Sequence, residues 1–148
     1  MKNITVYTAG YENRDIAEFI GRLKKHGIST LIDVREIPAS RKSGFSKNAL
    51  SEHLLSAKIK YLHVKELGSP KTLREKLKED KNYDLFFAEY GKYLKTKIDV
   101  VKKLYRDIIS HELSCLMCFE REPSQCHRKV VAEKIKESDS NGLIINYI

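Results

Sequence analysis

Short β-branched runs alternate with longer amphipathic stretches along the whole chain, and few folds accommodate that pattern. Ile4-Thr5-Val6-Tyr7-Thr8 alternates like a strand and gives way to a turn at Ala9-Gly10-Tyr11. Asp15 to His26 follows as a helix with Ile16, Phe19, Ile20 and Leu23 on one stripe and Gly27 at its close. Leu31 to Val34 reads as a second strand, Ser46 to Lys58 as a helix, and Tyr61 to Val64 as a third strand stopped near Gly68 and Pro70. The middle is helical: a short charged helix over Thr72 to Leu77, then Tyr83 to Ser110, split in two where Thr96-x-x-Asp99 resembles a capping box. Leu113 to Phe119 is a fourth strand, Pro123 to Lys136 a helix with proline in its first turn, and Leu143 to Tyr147 a last strand. Strands separated by crossover helices require a parallel sheet covered on both faces. The expected fold is therefore a three-layer α/β/α sandwich, Rossmann-like, with a mostly parallel sheet of about five strands and one domain over residues 1–148.

A chain of 148 residues, 41% of them apolar, can bury a full core without disulfides or a structural metal. No signal-peptide apolar region opens it and no run of 18 apolar residues occurs, which argues against secretion and membrane spanning. Three cysteines, an odd number, argue against a disulfide framework and for a reducing cytoplasm. The formal net charge of +8 favours anionic partners. The charges are interleaved, as in KTLREKLKEDK, which suits solvated helix faces.

In an open parallel sheet, ligands bind outside the carboxyl ends of the strands. The residues expected there are Gly10, Tyr11 and Glu12, then Arg35, Ser40 and Arg41, then Glu66 and Gly68, and finally Glu120, Arg121, Cys126, His127 and Arg128. Cys126-His127-Arg128 falls in the first turns of the helix expected to open at Pro123, where free N–H groups and the helix dipole favour anions and lower a thiol's pKa. Cys126 is thus either a thiolate or a small apolar filler. His127 and Glu120 are the matching candidates for proton transfer. Arg35, Arg41 and Arg128 can clamp an oxyanion, with Gly10 and Tyr11 beside them. Asp33, Tyr61, His63 and Cys118 are expected behind this layer, Asp33 orienting an arginine or capping backbone amides.

Cys115-x-x-Cys118 has redox or zinc-knuckle spacing, but strand residues three apart face opposite ways, so these two thiols do not grip one metal. Cys118, Cys126, His127 and His63 can still meet at the sheet edge as zinc ligands. No metal and no cofactor is assigned. The Cys-x5-Arg phosphatase loop fails, because Ala132 stands six residues after Cys126 and Ser124 six after Cys118.

Several blocks together resemble a known family. Thr8-Ala9-Gly10-Tyr11, Leu31-Ile32-Asp33-Val34-Arg35 with Pro38, Ser40, Arg41 and Phe45, Tyr61-Leu62-His63 with Glu66-Leu67-Gly68, and Leu116 to Glu120 leading to Pro123 and Cys126-His127-Arg128 are similar to domain of unknown function family 488. The resemblance runs from Val6 to Ile135 and implies a compact α/β/α domain with a pocket built from these blocks, without naming an activity. Ala9, Lys58-Ile59 and Ser69 depart from the family pattern. The residues themselves leave three functions as expectations: an enzyme, or a degenerate one, handling a small anionic or nucleotide-like substrate at the sheet edge; a basic nucleic-acid-binding accessory domain; and a protein-interaction module in which Cys126 and His127 merely pack.

Overall fold

The computed structural model describes residues 4–110 and 113–148. Five strands, β1 (Thr5–Gly10), β2 (Thr30–Asp33), β3 (Lys60–His63), β4 (Ser114–Cys118) and β5 (Ile144–Tyr147), form one all-parallel sheet in the order β3-β2-β4-β1-β5. The helices are α1 (Ile16–Lys25), α2 (Lys47–Ser56), α3 (Lys71–Asp80), α4 (Tyr83–Lys95), α5 (Ile98–Ser110) and α6 (Arg128–Glu137). The three-layer α/β/α arrangement follows directly from this alternation. Among the described residues no helix is long and apolar enough to cross a membrane.

Period-two alternation in the central strands builds two cores. Cys115 and Met117 of β4 point to one face with Leu31, where Phe19 and Leu23 of α1 and Leu50 and Leu54 of α2 cover them. Leu116 and Cys118 point to the other with Ile32, beneath Leu94 of α4, Leu104 and Ile108 of α5 and Val131 and Ile135 of α6. All five residues of β4 are buried, as a strand covered on both faces requires, whereas β3 and β5 at the sheet edges are largely open.

Local signals account for most boundaries. Asp15 caps α1 by accepting the Glu18 N–H at 2.8 Å, and Asn82 caps α4 by accepting the Leu85 N–H at 3.1 Å. The helical middle does split at Thr96, but Thr96 closes α4 instead of opening α5: its hydroxyl donates back to the Tyr93 carbonyl at 2.6 Å. The expected helix over Pro123 to Lys136 is also corrected. A 3-10 turn covers Pro123–Gln125 and α6 begins only at Arg128 with His127 as its cap, because the Arg128 N–H is taken by Cys126 Sγ at 3.5 Å and the helical ladder cannot run through.

Register aligns the carboxyl ends of the central strands: Gly10 pairs with Cys118, and Asp33 with Met117. The chain leaves β1 and β2 toward the α1/α2 face and leaves β4 toward the α6 face. Thus β4 lies between two strands whose connections turn the opposite way, which opens a crevice at its end. Gly10 closes the floor of that crevice. A Cβ there would overlap the Glu120 carbonyl and crowd Arg121 Cα, so the β4 exit loop rests on bare backbone. Gly10→Ala should lower stability by about 1–3 kcal/mol. Gly21→Ala, in an exposed helical position with nothing within 4 Å, should raise it by up to about 1 kcal/mol. Urea midpoints of the two variants check this, and shifts of the same sign would refute the assignment of Gly10 to close approach.

Candidate functional site

Asp33 is fully buried at the end of β2 and must have its charge met locally. Arg35, two residues on, supplies this with a forked contact: Nε donates to Oδ1 at 2.9 Å and Nη2 to Oδ2 at 2.7 Å. The Arg35 N–H adds a bond to Oδ1 at 3.1 Å, and the Tyr61 hydroxyl donates to Oδ2 at 2.6 Å. Arg35 Nη1 then donates to the Tyr11 hydroxyl at 3.2 Å and to the Phe45 carbonyl at 2.8 Å, and His63 Nε2 donates to the Arg35 carbonyl at 2.8 Å. Burial pulls the Arg35 pKa down, but the bonds and charge of Asp33 more than offset it, so the guanidinium stays charged. Burial and then Asp33 push the Tyr61 phenol up, keeping it a neutral donor.

This braced guanidinium faces a cleft of about 780 Å³ at the carboxyl edge of the sheet. Four cationic side chains line it, Arg35, Arg74, Lys78 and Lys81, against two carboxylates, Glu36 and Glu120. Arg74 is engaged: it donates to Glu36 Oε1 at 2.9 Å and to the Ser69 carbonyl. Lys78 and Lys81 are exposed, and neither is in an ion pair among the described residues. The walls also carry Tyr11, Tyr83, Phe86 and Phe119, and Phe119 is 43% exposed. Burial pushes the Glu120 carboxyl pKa up. The site therefore combines net positive charge with flat apolar surface.

The residues expected at the strand ends divide into three groups. Tyr11, Arg35, Cys118, Glu120 and His127 line the cleft. Asp33, Tyr61 and His63 brace Arg35 from behind. Ser40 also lines the cleft, while the others lie outside its wall: Arg41 is exposed and elsewhere, and Gly10 serves backbone packing. Arg128, expected to clamp an anion, is 1% exposed and turned inward, donating to the carbonyls of Glu120 and, at 3.0 Å, Arg121. It holds the β4 exit loop.

Cys126 departs furthest from expectation. It precedes α6 instead of sitting in its first turn, it is fully buried, and its sulfur is bonded to that of Cys118. The odd number of cysteines had argued against any such pairing. It arises because the loop after β4 curls back over the strand end and leaves Cys115, on the opposite face, as the free one. His127 Nε2 donates to the Val34 carbonyl at 2.7 Å, and burial lowers the imidazole pKa to about 4, so the ring is neutral with its lone pair on Nδ1. Ligand atoms of Cys118, Cys126 and His127 lie within 4.8 Å of one another. His63 is not part of this group and turns to Arg35.

Sequence reasoning passed over α3 and the start of α4. Arg74, Lys78 and Lys81 are spaced four and three apart, one stripe of a helix, and that spacing was the available signal. It lay inside an interleaved charge run of the kind that ordinarily marks a solvated face. The Asp33–Arg35 pair generates a further expectation. Asp33→Ala and Arg35→Ala should each cost about 3–5 kcal/mol, since each strands a buried charge. The double variant should cost clearly less than their sum, and additive losses in denaturant titrations would show that the two side chains are not coupled.

No curated protein and no solved structure matches this chain. One family model does, described as Domain of unknown function DUF488, over residues 15–135, from the turn that opens α1 to within α6. The Thr8-Ala9-Gly10-Tyr11 block lies before the matched stretch, while Arg35, Glu120 and the Cys126-His127-Arg128 run lie inside it. The chain is a member of the DUF488 family.

Proposed function

We propose that the cleft at the carboxyl edge of the sheet binds a small anionic ligand with a planar body, of the nucleotide type. The observation that carries this reading is Arg35, a guanidinium only 7% exposed, fixed by Asp33, Tyr11 and Phe45 and facing the cleft beside Lys78 and Lys81, which form no ion pair among the described residues. A pre-oriented guanidinium loses little freedom on binding. Asp33 balances its charge and its bonds leave one Nη2 N–H uncommitted, so Arg35 offers a fixed donor while Lys78 and Lys81 supply the net positive charge. The aromatic walls suit a flat ring, with Tyr11 held in place by stacking on Phe45 at 4.3 Å between centroids. Glu120 is the wall group best suited to exchange a proton with such a ligand, since burial raises its pKa.

Lys78 and Lys81 allow a test that spares the core. Lys81 holds a left-handed conformation (φ 51°) at the end of α3, so Lys81→Gly removes a charge while relaxing the backbone. In calorimetric titrations with adenosine monophosphate, the Lys78→Ala/Lys81→Gly variant should bind about tenfold more weakly than the parent, two cations each contributing under about 1 kcal/mol. Its thermal stability should not fall. Adenosine and inorganic phosphate, each lacking half of the ligand, should bind the parent less well. Absence of nucleotide binding at low salt, or affinity unchanged in the variant, would remove the reading. Tighter binding of a single-stranded oligonucleotide, with a steeper salt dependence than the mononucleotide, would move the assignment to nucleic acid.

A further inference from the structure

We infer that the reduced forms of Cys118 and Cys126, together with His127 Nδ1, make a binding site for a thiophilic divalent cation, zinc above all, whose fourth coordination position opens on the cleft. The inference goes beyond the ligand reading above and stands without it. A ligand atom from each of the three residues lies within 4.8 Å of the others, and His127 Nδ1 is 3.9 Å from Cys126 Sγ. Two thiolates and an imidazole are a donor set that suits zinc, and three protein ligands leave one position for water or another oxygen.

The surroundings are arranged as a metal requires. His127 Nε2 is committed to the Val34 carbonyl at 2.7 Å, which fixes the tautomer and aims the Nδ1 lone pair toward the sulfurs. That outer bond is the usual orienting contact of a ligating histidine. Each sulfur faces an N–H donor: Arg128 Nη1 is 3.4 Å from Cys118 Sγ, and the Arg128 backbone N–H is 3.5 Å from Cys126 Sγ. Such donors favour thiolate over thiol, and the guanidinium adds charge compensation. Packing on the helix side keeps the cluster dry, with the Tyr90 ring edge-on to His127 at 5.2 Å. Cys118 and His127 reach the cleft wall, and Glu120 Oε2 stands 3.5 Å from Cys118 Sγ, beside the open position.

In the structure the two sulfurs are joined, which is the oxidised state of the same pair. A dithiol reductant converts the bond to two thiols and is itself oxidised to a cyclic disulfide. Uptake of the cation then releases two thiol protons to solvent. The Cα atoms of the pair stand 7.3 Å apart, beyond the roughly 4.4–6.8 Å usual for bridged cysteines. That span leaves the reduced sulfurs room to reach the roughly 3.8 Å separation set by two Zn–S bonds of about 2.3 Å at a tetrahedral angle. Oxidation and metal occupancy therefore exclude each other.

The test uses the full chain, reduced with a dithiol, stripped with a chelator and exchanged into oxygen-free buffer, with Co²⁺ and Zn²⁺ as the probes. One equivalent of Co²⁺ should give thiolate-to-cobalt charge-transfer bands and the visible spectrum of a four-coordinate ion, and Zn²⁺ should displace it. The unmutated protein, reoxidised, should lose at least a hundredfold in affinity, a comparison that needs no variant to fold. Cys118→Ser and His127→Asn should lose a similar amount, while Cys115→Ala, on the opposite face of the sheet, should bind as the parent does. The inference fails if the reduced protein takes up no cobalt, if the spectrum lacks thiolate bands, or if reoxidised and reduced protein bind equally.

Discussion

A carboxylate with no access to water sits at the carboxyl edge of the sheet. Asp33 accepts four hydrogen bonds, three from Arg35 and one from Tyr61. Arg35 in turn reaches Tyr11 beyond β1 and the Phe45 carbonyl before α2, while His63 of β3 holds its backbone. One buried ion pair thereby joins the exits of three strands and the loop that leads into α2. Desolvating both charges is expensive, and the expense is tolerable only because almost every donor and acceptor is met. The arrangement fixes a guanidinium in a single orientation at the cleft, a position a flexible surface arginine cannot hold.

On the other side of β4 the same edge carries different chemistry. Cys118 ends the strand, Cys126 and His127 return to it before α6, and Arg128 sends its guanidinium back under the exit loop to two carbonyls and a sulfur. The Cys-His-Arg run is therefore divided by its backbone: cysteine into the core, histidine between core and cleft, arginine beneath the loop. Cys118 and His127 belong to both the cleft wall and the sulfur cluster, and Glu120 of the wall stands 3.5 Å from Cys118 Sγ.

The layers, the five strands and the parallel sheet were legible because they rest on local periodicity, which β4 shows at its clearest with every residue buried and alternate residues on alternate faces. Asp33 as the partner of an arginine was legible too, since a carboxylate on an apolar strand has few alternatives. Other features depend on how the chain returns upon itself, and period and spacing carry no trace of that. Cys118 and Cys126 meet because a loop folds back, Arg128 turns inward because two carbonyls lie within its reach, and α6 starts late because a sulfur takes an amide proton. The stripe of Arg74, Lys78 and Lys81 was visible, but only the packing of α3 on α4 turns it toward a cleft.

Helix α3 has no fully buried residue, although it supplies Arg74 and Lys78 to the cleft wall and Lys81 follows at its end. It rests on α4 and is tethered by the bonds of Arg74 to Glu36 and the Ser69 carbonyl. Little apolar surface is exposed when such an element detaches, so its local opening free energy sits far below that of the sheet. Its amide protons then exchange with solvent through a sub-global fluctuation that leaves β1, β2 and β4 intact. An occupant bridging Lys78 and Arg35 would couple that fluctuation to the rigid body of the protein, and slowed exchange along a single helix becomes the natural signature of an occupied cleft.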